Sequence, residues 1–325
     1  MLRALITGVC GQDGSFLAEY LLEEGYKVYG LSRRKSTSIL HSKANILNIL
    51  NNDNFTYIEG DLTDPVLFTR IIHDIKPHEV YNLGAMSHVG YSFKNPVDSF
   101  RTNAESVVMH LSMIKDYAPS TRYYQASTSE MLGGVNCPKE GYNESFLFDP
   151  RSPYAIAKVA AHLSVKNYRE AYGLFCCAGI LFNHSSTRRG EDFATRKITK
   201  GIVECKLGKR KTLKMGNLSA FRDEGCSKDY VVAMNLMLKN SKPKDYVIAT
   251  GEGATIEQMF KYVCNIAELK FEEVYELDER FLRPSDVPYL LGDSTLARKE
   301  LGWNPRYNWK KLLKEMYNHD IKGVL

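Results

Sequence analysis

Apolar residues come in short clusters of β-type sequence through the first half of the chain. Residues 2–7 read as a buried strand, then a glycine-rich turn, then an amphipathic helix over about 14–25. Further β-type runs fall at 27–31, 55–58, 79–83 and 122–126, most of them separated by stretches of helical periodicity, and a strand over 174–182 closes this half. Short apolar strands spaced by helices mean βαβ units feeding a doubly wound parallel sheet, an α/β fold of Rossmann type. Two helix starts are explicit. Asp64-Pro65 and Ser152-Pro153 each set a capping side chain before a proline in the first turn. Beyond Asn183 the pattern loosens and becomes richer in polar and basic residues. Helices are expected near 193–205, 228–238, 255–268 and 309–319, and 246–250 reads as a strand returning to the first sheet. The chain therefore divides into a nucleotide-binding half, 1–182, with a return segment near 226–250, and a smaller interleaved α/β substrate lobe made of 183–225 and 251–325.

Length and composition narrow this further. At roughly 150 residues per domain, 325 residues suit two domains or one large α/β unit with an added lobe. Forty-three Lys and Arg against 38 Asp and Glu leave a net charge of +5. That is short of the concentrated basic stripe that argues for nucleic acid, but it suits an anionic small molecule. The seven cysteines form no CxxC pair, so neither a disulfide framework nor a metal site is indicated. No charged-then-apolar leader and no apolar run near the ~20 residues of a membrane span are present, so a cytoplasmic protein without membrane attachment is expected.

The candidate chemistry begins at Thr7-Gly8-Val9-Cys10-Gly11-Gln12-Asp13-Gly14. Glycines 8, 11 and 14 allow a tight turn, close approach to a pyrophosphate and close helix–strand packing, with Gln12 and Asp13 between them at the helix N-terminus. The second strand ends in Ser32-Arg33-Arg34-Lys35, where a carboxylate would mark NAD. Cations there suit a 2′-phosphate, hence NADP, although a solvated basic loop would use the same residues. Asp61-Leu62 are placed to reach an adenine, although a loop acceptor would use Asp61 equally well. Tyr154 and Lys158, four residues apart, share one helix face, and an ammonium beside a tyrosine stabilises its phenolate. Ser127-Thr128-Ser129-Glu130 stand at the carboxyl end of the fifth strand, where such sheets place ligands.

These residues resemble the extended short-chain dehydrogenase/reductase family, and more narrowly its sugar-nucleotide 4,6-dehydratases. The segments Asn82-Leu83-Gly84-Ala85, Ser87-His88-Val89, Arg151-Ser152-Pro153-Tyr154-Ala155, Gly179-Ile180-Leu181-Phe182-Asn183-His184, Arg188-Arg189-Gly190-Glu191, Thr195-Arg196-Lys197, Gly216-Asn217-Leu218, Arg222-Asp223 and Arg283-Pro284 resemble GDP-mannose 4,6-dehydratases in particular. The resemblance implies NADP contacts from Leu83, Ala85, Ser87, His184 and Arg189 beside the glycines. It implies contacts to a GDP-sugar from Ser87, Ser129, Asn183, Arg188, Lys197, Gly216, Arg222 and Arg283. It further implies that Tyr154, with Lys158, deprotonates the C4 hydroxyl as hydride leaves C4, that Thr128 bonds the C4 oxygen, and that Glu130 serves as base at C5 and acid toward the departing C6 hydroxyl, before hydride returns to C6. Residues 33–38 resemble a loop that reaches a neighbouring subunit, so a homotetramer, or a dimer, is expected.

Several positions depart from the family pattern. Met86 stands for a usual glutamine, Ser185 for a glutamate, Thr187 for a proline, Glu224 and Cys226 for a tryptophan and a histidine, and Asp286 for a glutamate. The catalytic set is unchanged, but a related sugar such as a GDP-manno-heptose is an alternative substrate. A GDP-sugar epimerase or reductase is an alternative activity that Glu130 argues against, and a non-catalytic NADP-binding regulator would not need the Tyr–Lys pair.

Overall fold

The computed structural model describes residues 1–33, 43–282 and 285–323. Seven strands form one parallel sheet: β1 Arg3–Thr7, β2 Lys27–Ser32, β3 Phe55–Glu59, β4 Glu79–Asn82, β5 Arg122–Thr128, β6 Cys176–Leu181 and, after a long excursion, β10 Tyr246–Ile248. Their order is β10-β6-β5-β4-β1-β2-β3, so the winding direction reverses between β1 and β4, where such sheets leave a crevice for ligands. Neighbouring residues on one strand serve opposite faces. Ile6 and Tyr124 join Leu17 and Leu21 of helix α1, Gln12–Glu23, on one side. Leu5 and Tyr123 join Phe68 of α2, Pro65–Ile75, and Val165 of α6, Pro153–Tyr172, on the other. Between these last two helices in sequence lie α3 Val89–Lys94, α4 Pro96–Phe100 and α5 Ser106–Tyr117.

The proline-marked starts form as read. Asp64 Oδ1 accepts from the Val66 and Leu67 amides at 2.9 and 3.1 Å, and Ser152 Oγ accepts from the Ala155 amide at 3.1 Å. Helix α1 begins two residues earlier than its periodicity predicts, because Gly11 rather than Gly14 is the N-cap.

The second lobe packs α7 Ala194–Lys206, α9 Ile256–Ala267 and α12 Trp309–Lys322 around Ile198, Ile202, Phe260, Val263, Leu313 and Met316. Its small sheet, not foreseen from the sequence, sets β9 Phe221–Cys226 between β11 Gly253–Thr255 and β13 Tyr289–Leu290, with β7 Asn183–Ser185 also paired to β9. β7, β11 and β13 have two or three residues, and the six of β9 are mostly polar or glycine, so none stands out as an apolar run. The chain crosses between lobes repeatedly. Helix α8, Ser227–Lys239, returns Tyr230, Met234 and Leu238 to the core of the large sheet. The segment around Ala297 and Trp303, which the pattern gives to the second lobe, packs in that core too. Trp303 is fixed there by its indole N–H, 2.8 Å from the Asp229 carbonyl.

Candidate active site

The sequence Thr-Gly at the end of β1 does more than turn the chain. Thr7 Oγ1 donates to Asn82 Oδ1 (2.7 Å) and accepts from the Gly84 amide (3.0 Å), while Asn82 Nδ2 donates to Gln125 Oε1 (2.9 Å). This side-chain chain ties the carboxyl ends of β1, β4 and β5 at the switch point. Gly8 has a φ of 73°, and a Cβ there would lie 2.8 Å from Gly84 Cα; a Cβ on Gly14 would lie 2.4 Å from the Gly8 carbonyl oxygen. Both positions admit only glycine. Gly11 is different: its nearest heavy atom would be the Gly8 oxygen at 3.1 Å, and as N-cap it offers no side chain to the first amides of α1. Those amides and the helix dipole remain available to an anion.

The turn faces a cavity of about 570 Å³. Gly8, Gly11, Gln12, Asp13, Gly14, Arg33, Asp61, Leu62, Leu83, Ala85, Ser87, Thr128, Ser129, Glu130, Tyr154, Lys158, Asn183, His184 and Arg189 all line it, so positions scattered over half the sequence converge. Arg33 stands at the rim, 3.8 Å from Asp61 and largely exposed. A second cavity of about 1130 Å³ shares Ser87, Glu130, Asn183 and Arg189 with the first and adds Lys197, Gly216 and Arg222. One candidate does not join them. Arg188 turns back onto α1, with Nη1 3.1 Å from Ser15 Oγ, Nη2 2.6 Å from Glu19 Oε1 and its guanidinium over the Phe16 ring. Arg283, Arg34 and Lys35 lie outside the described residues.

Thr128 caps the turn Ser129–Leu132, its hydroxyl accepting from the Glu130 amide at 3.3 Å, and this turn carries Glu130 to the seam between the cavities. Tyr154 stands in the first turn of α6 and is almost wholly buried. The expected lowering of its phenol by Lys158 is not found. Lys158 Nζ donates to the Ala126 carbonyl at 2.8 Å and lies 5.9 Å from the Tyr154 ring centre. Burial pushes Tyr154 up to about 12, with the Glu130 carboxylate also raising it and a hydrogen bond to Thr128 opposing. Burial likewise lowers Lys158 to about 8. Desolvation is the largest cause for both groups.

Sequence reasoning missed how the turn is anchored to the second lobe. Asp13 Oδ2 meets His184 Nε2 at 2.9 Å, and Ser186 Oγ donates to Gln12 Oε1 at 2.8 Å. Burial alone would raise Asp13, but the charge and hydrogen bond of His184 hold it down to about 2, and His184 is raised in return. Of the departures from the family pattern, Met86, Ser185, Glu224 and Asp286 line the second cavity. Cys226 does not; its side chain is buried in the lobe core.

A bound dinucleotide fits these residues: the amides at the start of α1 lack a side-chain cap, and the buried Arg189 Nε has no hydrogen-bond partner. Among the described residues no helix is long and apolar enough to cross a membrane.

Comparison with known proteins agrees. A family model described as GDP-mannose 4,6 dehydratase matches residues 5–316. GDP-mannose 4,6 dehydratase 2 of Arabidopsis thaliana is 45% identical, over 98% of this chain and 87% of its own. The Vibrio cholerae GDP-mannose 4,6-dehydratase is 42% identical, over 98% of this chain and 94% of its own, and the human one 41%, over 98% and 91%. Among solved structures, UDP-glucose 4-epimerase of Thermotoga maritima, with UDP-glucose, superposes with a TM-score of 0.87 at 25% identity over the whole of both chains. A Bacillus anthracis dTDP-glucose 4,6-dehydratase in complex with NAD gives 0.84 at 20% identity, over 98% and 96%; at that identity it speaks for the fold. With this sheet, this Tyr–Lys face and a family model matched over nearly its full length, the chain belongs to the GDP-mannose 4,6-dehydratase family.

Proposed function

We propose that this protein converts GDP-mannose to GDP-4-keto-6-deoxymannose and water, with NADP as a resident cofactor. The observation that carries the reading is the convergence of Thr128, Glu130, Tyr154 and Lys158 on the first cavity, with Glu130 lining the second as well. Residues 1–182 with the return segment would hold the cofactor, and 183–225 with 251–325 the sugar nucleotide. Arg33 is the described cation able to meet a 2′-phosphate. In the second cavity, Arg222 and Lys197 supply cations for a diphosphate.

When bound, an oxidised nicotinamide supplies the acceptor for the hydrogen and electron pair that C4 loses and C6 later regains, and its positive ring lowers the cost of a Tyr154 phenolate. Tyr154 takes the C4 hydroxyl proton, with the Lys158 charge close by. Thr128 donates to the C4 oxygen and holds it toward Tyr154. A ketone at C4 makes the C5 proton acidic, and Glu130 removes it. The same carboxyl then gives that proton to the C6 hydroxyl, which leaves as water. As the hydrogen and electron pair are restored at C6, C5 takes back a proton, balanced by the one Tyr154 took from the C4 hydroxyl, and the C4 ketone remains, so no external reductant is consumed.

The test is incubation of purified protein with GDP-mannose and NADP⁺ without reductant. Product mass lower by one water supports the reading; an intact substrate overturns it. Replacing NADP⁺ by NAD⁺ should weaken cofactor binding, and equal affinity for both would overturn the role given to Arg33. Assembly into a tetramer or dimer and a cytoplasmic setting belong to the same reading, and light scattering checks the former.

A further inference from the structure

We propose that Glu224 is a specificity-determining residue, whose free carboxylate oxygen accepts a hydrogen bond from the C2 or C3 hydroxyl of the bound hexose. The inference rests on the nucleotide-sugar reading above and deepens it.

The two carboxylates of β9 are adjacent in sequence and opposite in circumstance. Asp223 is fully buried, and its oxygens are spent: Oδ1 accepts from the Thr250 amide and hydroxyl, and Oδ2 from the Gly251 and Gly292 amides. It is a structural clasp. Glu224 points the other way, into the second cavity. Only 4% of the residue is exposed, yet Oε1 has no hydrogen-bond partner. Ser185 is its hydrogen-bonding neighbour, and the Ser185 hydroxyl is itself 2.7 Å from Thr195 Oγ1. Burial raises the Glu224 carboxyl, and Ser185 with the nearby charges of Arg189, His184 and Arg222 opposes this, but Oε1 itself stays bare. A buried acceptor left bare carries a desolvation cost of about 1–3 kcal/mol or more that a donor arriving with the ligand would relieve.

Strand register supplies the setting. The parallel pairing of β7 with β9 puts Asn183 opposite Glu224, and Asn183 Oδ1 is likewise buried and unpartnered. Both line the second cavity together with Arg189, whose Nε is also unpartnered. Two bare acceptors beside one space match a polyhydroxyl surface. They do not match a phosphate, which a carboxylate would repel. Which hydroxyls remain follows by elimination. In the proposed reaction C1 carries the diphosphate, C4 must face Tyr154 and Thr128, and C5 and C6 must face Glu130. Only the C2 and C3 hydroxyls are left to meet Asn183 and Glu224. A site built to bond a hydroxyl discriminates strongly against the analogue lacking it, because its own polar atom then stays bare.

The experiment uses the full chain saturated with NADP⁺ and compares kcat/KM for GDP-mannose with its 2-deoxy and 3-deoxy analogues, in wild type, Glu224→Gln and Glu224→Ala. Wild type should prefer GDP-mannose over one of the two analogues by ~10–100-fold, the range of a hydrogen bond to a charged group. In Glu224→Ala that preference should collapse to within about threefold, by loss on GDP-mannose and not on the analogue, mostly in KM. Glu224→Gln keeps the shape and an acceptor and should retain part of the preference; if the alanine variant does not fold, a reduced preference in the glutamine variant decides. Preferences unchanged in both variants, whatever happens to rates or Tm, would mean Glu224 only balances charge and would overturn the proposal alone. A wild type that leaves GDP-mannose intact overturns the reaction and this inference with it.

Discussion

Around the glycine-rich turn the cleft is walled by main chain, whereas around Asn183 and Glu224 it is walled by side chains standing on short strands. The first wall is rigid: its glycines touch backbone, Thr7 and Asn82 bolt strand ends together, and α1 aims amides into the space. The second holds buried polar atoms in waiting, among them Asn183 Oδ1, Arg189 Nε and Glu224 Oε1. A wall of peptide groups recognises what all dinucleotides share, and its sequence tolerates few changes. A wall of side chains can be re-aimed by one substitution, and it is there that Met86, Ser185, Glu224 and Asp286 depart from the family pattern.

The sharpest break in this comparison falls at the catalytic residues between the two walls. Tyr154→Phe should lower kcat by ~10²–10⁴, the usual worth of a positioned acid–base, with GDP-mannose still bound; product mass and substrate affinity check both halves. Glu130→Gln should leave C4 oxidation working, so bound cofactor accumulates in its reduced form while no water is lost. Near-normal turnover in either variant would remove that residue from the scheme.

On the main-chain side, Gly14→Ala drives a methyl into the Gly8 carbonyl and Val9 Cα. An overpacked turn of this kind costs about 1–3 kcal/mol, read in thermal unfolding, and should also weaken cofactor binding. A pH profile addresses the catalytic residues more gently. Burial brings Lys158 down to about 8, so its positive charge is present below that pH and lost as pH rises through it. Activity that depends on the charge should fall about tenfold per pH unit beyond that point in kcat/KM. Lys158→Arg, if it keeps any activity, should carry the limb to higher pH because guanidinium does not titrate there. The smallest effect is expected at a helix cap that lines neither cavity. Asp64→Ala removes a helix cap and should cost ~1 kcal/mol of stability with kcat unchanged.

The same contrast explains what could be read from sequence. Gly8, Gly11 and Gly14 follow a strand at fixed spacing, and Tyr154 and Lys158 sit one turn apart, because local geometry dictates them. The burial that raises Tyr154 to about 12 is not readable from the Tyr–Lys spacing, because it depends on what the rest of the chain packs above the helix. Arg188 was drawn to the substrate by its neighbours in sequence, but Ser15 and Glu19 claim it. The Asp13–His184 pair and the bare oxygen of Glu224 both depend on β7 and β9, strands of three and six residues whose pairing no local pattern reveals.

The seventh strand of the large sheet bears on how the protein is made. Among the described residues β10 pairs only with β6, and it arrives after residues 183–245, which include part of the second lobe and helix α8, while Ala297 and Trp303 seal the same core later still. A nascent chain emerging from the ribosome with its first 182 residues therefore carries β6 as an open edge, a template for unwanted pairing. Productive folding has to wait until most of the chain is out, which makes this an enzyme completed late in translation rather than domain by domain.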